Sequence, residues 1–174
     1  CVLIRLSGGP ILFRQRRIGR RGEMFSCWKF RTMVPDAQQA LQRVLDADPA
    51  ARAEWQRDQK LRDDPRVTRI GNFLRRTSLD ELPQLLNVLR GEMSLVGPRP
   101  VVKDELVRYG SRARYYLSVK PGLTGLWQIS GRNDTSYSRR VALDVFYVKN
   151  CSLQFDIWIL WRTVGVVLCG FGAY

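Results

Sequence analysis

Apolar and polar positions change character several times along the chain. Residues 1–13, from Cys1-Val2-Leu3-Ile4 to Ile11-Leu12-Phe13, are largely apolar and read as the end of a longer hydrophobic element, broken by Ser7-Gly8-Gly9-Pro10. The next stretch, Arg14-Gln15-Arg16-Arg17-Ile18-Gly19-Arg20-Arg21, holds five arginines in eight residues. A basic run directly after an apolar one is the pattern of a cytoplasmic membrane boundary; a solvated charged loop has the same composition. Met24-Phe25-Ser26-Cys27-Trp28-Lys29-Phe30-Arg31 alternates and predicts a short strand. Residues 36–61 predict a helical stretch with a break at Pro49, polar on most faces and so placed on the surface or against a partner.

A turn at Asp63-Asp64-Pro65-Arg66 leads into a second helical region over 68–90. Within it Ser78-Leu79-Asp80-Glu81-Leu82-Pro83 opens an apolar helix carrying Leu85, Leu86, Val88 and Leu89, and Gly91 stops it. Gly97-Pro98-Arg99-Pro100 forms a rigid turn, because each proline fixes its own φ and restricts the residue before it. Residues 101–117 read as helical. Two glycine-bearing loops, Pro121–Gly125 and Ser130–Asp134, flank an expected short strand at Leu126–Ile129. Helices over 136–149 and 153–168 close the pattern. The last carries Phe155, Ile157, Trp158, Leu160 and Trp161 between Asp156 and Arg162. Such a face suits a helix lying in a lipid headgroup plane, and equally an ordinary core helix. The fold class expected is α+β, mainly α, with a few short strands, as a single domain over 1–174.

Composition narrows the chemistry. The 174 residues hold 29 Lys+Arg and 16 Asp+Glu, a balance of +13, which calls for anionic company: nucleic acid, phosphorylated metabolites or an acidic lipid surface. There is no histidine, so a Ser-His-Asp or Cys-His pair, an HExxH zinc site and an imidazole base are excluded. Cys1, Cys27, Cys151 and Cys169 form no CxxC pair and read as reduced thiols. No run of about 18 uncharged apolar residues occurs, the length a spanning helix requires.

The adjacent carboxylates Asp80 and Glu81 stand at an expected helix start, where free N–H groups favour anions. Ser78-x-x-Glu81 also has the form of a capping box, and Asp80 that of an N-cap. Arg75 and Arg76 precede the pair, Arg99 follows in the proline-stiffened turn, Lys29 and Arg31 lie on the early strand, and Arg132 lies in a glycine loop. Arginine forks match phosphate oxygens. Paired carboxylates among cations suit a divalent ion on a nucleotide diphosphate and would repel nucleic acid, which is not expected as a partner.

Six segments then carry a resemblance. They are Phe13-Arg14-Gln15-x-Arg17-x-Gly19, Lys29-Phe30-Arg31-Thr32-Met33, Thr77–Leu85, Gly91–Pro100, Lys120–Gly125 and Ser130-Gly131-Arg132-Asn133. In this order the chain resembles the bacterial sugar transferase family, the monotopic polyprenyl-phosphate phosphoglycosyl transferases. With the 36–61 stretch and the Gly-Ala-Tyr ending it is most similar to the undecaprenyl-phosphate galactose phosphotransferases. The resemblance implies a catalytic domain with residues 1–13 ending an upstream membrane-inserted helix and 153–168 forming an interfacial helix.

It also implies transfer of hexose 1-phosphate, galactose or glucose, from UDP-hexose to undecaprenyl phosphate, with UMP released. Asp80 would be the nucleophile and Glu81 a metal ligand, orienter or base. Mg²⁺ would sit on Asp80 and Glu81. Arg75 and Arg99 would meet phosphate, and Lys29 and Arg132 the nucleotide sugar. A homodimer at the cytoplasmic face of the bacterial inner membrane, in contact with membrane lipids and serving O-antigen, capsule or exopolysaccharide assembly, belongs to the same expectation. The alternative from another class is a non-catalytic basic scaffold on a membrane surface.

Overall fold

The computed structural model describes residues 1–58, 61, 64–131 and 135–169. After a single-turn helix α1 (Val2–Leu6), β1 (Leu12–Ile18) and β2 (Met24–Phe30) form an antiparallel hairpin. The arginine-rich run is therefore a strand for most of its length, not a loop. The pairing runs from Leu12 opposite Phe30 to Ile18 opposite Met24, and its connection turns through Arg21 (φ 58) and Gly22 (φ 84).

The expected 36–61 helix is α2 (Ala37–Ala47) followed by α3 (Pro49–Asp58). Pro49 opens α3, where its missing N–H costs little, and Asp48 Oδ1 accepts from Ala50 N at 2.8 Å. Helix α4 (Arg69–Arg76) starts at Thr68, whose Oγ1 accepts from Gly71 N at 2.9 Å. A Cβ on Gly71 would stand 2.0 Å from Thr32 O, so only glycine lets α4 pack this closely on the segment after β2.

Helix α5 (Gln84–Leu89) follows, and Gly91 (φ 76) ends it as expected. Strands β3 (Ser94–Val96) and β4 (Gly122–Thr124) pair in parallel, joined by a crossover containing α6 (Lys103–Val107) and α7 (Ala113–Ser118). The strand expected at Leu126–Ile129 lies earlier, at β4. Residues 126–130 instead form turns, with Gln128 N bonded to Gly125 O (3.1 Å) and Ser130 N to Trp127 O (3.1 Å). Those local bonds satisfy the backbone without a ladder partner. Helices α8 (Tyr137–Asn150) and α9 (Leu153–Cys169) match the pattern.

Two apolar clusters hold the layers. Ile18, Val101, Tyr109, Tyr116 and Val141 join the hairpin to α7 and α8, and Val96, Leu126, Tyr147 and Ile159 join β3 to α8 and α9. The short α5 is fixed by a polar clamp. Asn87 is 0% exposed; its Oδ1 accepts from Trp28 N (3.2 Å), and its Nδ2 donates to Ser26 O (2.8 Å) and Glu92 Oε2 (2.6 Å). Exposed apolar side chains line α1 (Val2, Leu3, Leu6), α5 (Leu85, Leu86, Leu89) and α9 (Leu153, Ile157, Trp158, Trp161). Among the described residues no helix is long and apolar enough to cross a membrane.

Asn87→Ala should lower unfolding stability by about 2 kcal/mol, because it removes a fully buried side chain's bonds to three partly buried partners. Leu89→Ala, on the same helix but 83% exposed, should change it by no more than about 0.5 kcal/mol. Chemical denaturation of both variants checks the contrast, and equal effects would contradict it. Asp144, buried in α8, supplies a pH-dependent test. Burial pushes its carboxyl up to about 6, against the opposing pull of the Tyr109 hydroxyl (2.7 Å) and Arg140. The unfolded carboxyl titrates near about 3.9, so this group's contribution to stability is full below about pH 4 and is lost as pH rises through about 6. Asp144→Asn should therefore gain on the wild type as pH rises from about 4 to about 7, read from denaturation midpoints; parallel midpoints at both pH values would refute this.

Candidate active site

The segment between α4 and α5 is bent by Ser78, which is left-handed (φ 57, ψ 14), and then makes a 3₁₀ turn over Leu79–Glu81. The capping-box expectation is corrected here. A capping serine needs extended backbone, and Ser78 makes no side-chain cap hydrogen bond in this conformation. Asp80 is likewise inside the turn and not an N-cap. The bend carries it inward, and Asp80 is 8% exposed.

A buried carboxylate is costly unless cations face it. Three elements supply them. Lys29 Nζ on β2 lies 2.6 Å from Glu81 Oε1 and 3.9 Å from Asp80 Oδ2. Arg99, in the turn after β3, brings a guanidinium nitrogen to 3.7 Å from the same Glu81 oxygen. Arg75, at the end of α4, donates from Nε to Thr32 Oγ1 at 3.0 Å and acts electrostatically on Asp80. Burial pushes the Asp80 carboxyl above its usual range; Lys29, Arg75 and Arg99 oppose that shift, while Glu81 adds to it.

The turn bearing Arg99 is stiffened by its prolines and by close backbone contact. Gly122 N donates to Pro98 O at 2.8 Å, and a Cβ on Gly122 would stand 2.1 Å from Gly97 N. Arg99 also lies 5.9 Å from the centre of the Trp127 ring, which carries Arg140 at 4.7 Å.

The structure thus brings Lys29, Arg75, Asp80, Glu81 and Arg99 together. Arg132 lies outside the described residues. Arg31, counted among the phosphate-compatible cations, does other work. Its guanidinium donates to Pro10 O (2.7 Å), Met33 O (2.8 Å), Ile4 O (2.8 Å) and Ser7 Oγ (3.1 Å), tying α1 to the hairpin. Sequence reasoning gave no site role to Arg17 and Gln84, although both stand in the motifs that carry the resemblance, nor to Cys27; all three line the cavity beside Glu81 with Lys29 and Arg99. The signal was present in the hairpin register: Gln15 pairs with Cys27 and Phe13 with Lys29, so Arg17 falls on the same face.

Asp80 and Glu81 are adjacent hard-oxygen donors, and no group of three or more candidate metal ligands occurs among the described residues. That donor set fits a Mg²⁺ completed by phosphate oxygens, in place of an all-protein cage.

Residues 1–170 match the family model described as bacterial sugar transferase. The chain belongs to the bacterial sugar transferase family. It is 58% identical over 167 residues to the undecaprenyl-phosphate galactose phosphotransferase of Salmonella typhimurium, covering 96% of this chain and 35% of that protein. It is 58% identical over 172 residues to the UDP-galactose-lipid carrier transferase of Erwinia amylovora, covering 99% and 36%. To the UDP-glucose:undecaprenyl-phosphate glucose-1-phosphate transferase of Escherichia coli it is 43% identical over 166 residues, covering 91% and 32%. The chain therefore spans about a third of the length of these relatives.

Lys29→Ala removes the strongest of the cations opposing the burial shift. The Asp80 carboxyl should then titrate at higher pH than in the wild type, as followed by its ¹³C carboxyl resonance. An unchanged or lower midpoint would contradict the electrostatic assignment.

Proposed function

We propose that this member of the family moves a hexose 1-phosphate from UDP-hexose to undecaprenyl phosphate and releases UMP, with Asp80 as nucleophile. The observation that carries the reading is a buried carboxylate facing cations from three separate elements, in a chain without histidine. An aspartate needs no base to become nucleophilic once ionised, with an ordinary pKa near about 3.9. An Asp80 oxygen forms a bond to the phosphorus nearest the sugar, and the bond from that phosphorus to the bridging oxygen breaks. UMP leaves with that oxygen and electron pair, and the hexose phosphate stays on Asp80 as an acyl phosphate. An oxygen of undecaprenyl phosphate then attacks the same phosphorus, and the Asp80 carboxylate departs.

Arg75 and Arg99 steady phosphate charge, and Lys29 and Arg132 contact the nucleotide sugar. Glu81, paired to Lys29 at 2.6 Å, orients the cation that faces Asp80. Asp80 and Glu81 would hold Mg²⁺, which when bound neutralises the diphosphate and the departing UMP. The exposed leucines of α5 follow the nucleophile directly, and those of α1 and the tryptophans of α9 add further apolar surface. They support a seat on lipid, where a buried polyprenyl chain and a soluble nucleotide can meet. The cytoplasmic face of the inner membrane, a homodimer and a first step in polysaccharide assembly belong to the same reading. Galactose is favoured over glucose, since the two galactose-named relatives are 58% identical and the glucose-named one 43%.

In a UMP-release assay with undecaprenyl phosphate, UDP-galactose should be the preferred donor among UDP-sugars. Asp80→Asn should reduce release to background without lowering thermal stability. Turnover by Asp80→Asn near the wild-type rate would overturn the assignment.

A further inference from the structure

The cavity beside Glu81 has three cationic lining residues, Arg17, Lys29 and Arg99, and one carboxylate, Glu81. Cys27 adds no negative charge, because burial pushes its thiol up. Glu81 is already engaged by Lys29 at 2.6 Å and Arg99 at 3.7 Å. Arg17 takes its carboxylate from off the cavity wall, at Glu105 (3.3 Å). Burial and then the neighbouring Arg99 push its guanidinium down from its ordinary range. Guanidinium groups gathered at one cavity repel each other, and a bound dianion relieves that repulsion. The diphosphate of a sugar nucleotide carries one negative charge on each phosphoryl group, so guanidinium groups on the cavity wall have complementary charge.

We infer that Arg17 is a further substrate-binding residue whose guanidinium holds the diphosphate of the sugar nucleotide together with Arg99. This rests on the proposed transferase reading and adds to it a residue from the hairpin. Arg17 is fixed by two neighbours. Nη2 donates to Gln15 Oε1 at 2.7 Å and Nη1 to Glu105 Oε2 at 3.3 Å, with its side chain 16% exposed. Glu105 is itself anchored, since Oε2 accepts from Val102 N (3.2 Å) and Oε1 meets Arg140 Nη1 (3.6 Å). Arginine has five N–H donors; those two bonds leave three without a described partner, in a residue on the cavity wall. A guanidinium held by two partners, with N–H groups remaining and Arg99 as a like-charged neighbour, suits phosphate oxygens.

The test measures UDP affinity by calorimetry and donor KM by UMP release, in the full-length protein. Arg17→Ala should weaken UDP binding by about tenfold or more and raise KM for the sugar nucleotide similarly, leaving KM for undecaprenyl phosphate unchanged. Arg17→Lys, which keeps the charge, should recover part of the loss. Arg20→Ala, which removes an exposed charge from the same hairpin, should behave as wild type.

UDP affinity of Arg17→Ala within twofold of wild type would overturn the inference, as would an equal loss in Arg20→Ala. If Arg17→Ala does not fold, Arg17→Gln against Arg17→Lys decides by the same criterion. A wild type that binds UDP yet releases no UMP from any UDP-sugar would sink the transferase reading, while the UDP affinities still judge Arg17. A wild type that binds no UDP would sink both.

Discussion

Keeping one buried carboxylate charged is the constraint on which the rest depends. Moving Asp80 out of water is expensive, and attraction to nearby cations has to offset that cost. No single element carries enough of them. Lys29 comes from β2, Arg75 from α4 and Arg99 from the turn after β3, so those elements must be held in fixed relation. Asn87 locks α5 to β2, Gly71 lets α4 touch the segment after β2, and the Gly97–Gly122 contact sets the Arg99 turn on β4. These contacts are spread along the chain, yet each bears on the position of a cation relative to Asp80.

Adjacent carboxylates of the same charge do different work because their partners differ. Glu81 takes the short contact with Lys29, 2.6 Å, and the longer one with Arg99, 3.7 Å. Asp80 is left with Lys29 at 3.9 Å and accepts no hydrogen bond from a described residue. Under the proposed mechanism, that leaves an Asp80 oxygen with lone pairs for the reacting phosphorus. A nucleophile tied into a bidentate arginine fork would lack them.

The periodic parts of the fold are legible in the sequence. The β2 alternation, the break at Pro49, the stop at Gly91 and the last two helices lie where local pattern puts them. So did the approach of Lys29, Arg75 and Arg99 to Asp80 and Glu81, through a resemblance spread over six segments. What local pattern misread was decided by distant contacts or by backbone conformation. Ser78-x-x-Glu81 has capping-box spelling, but a left-handed Ser78 cannot cap. Residues 126–129 are apolar enough for a strand, yet local turns take their hydrogen bonds. Arg31 looked free for phosphate until α1 and its following carbonyls closed around it. Arg17 needed the hairpin register to bring it to the same face as Lys29.

The central claim is that Asp80 itself carries the transferred group. The direct measurement is mass analysis of the Asp80 peptide after the protein is mixed with UDP-galactose, without polyprenyl acceptor, and acid-quenched. The account predicts a hexose-phosphate increment on Asp80, with UMP formed in matching amount and the increment lost on adding undecaprenyl phosphate. An unmodified Asp80 peptide, with UMP appearing only when the acceptor is present, would contradict it.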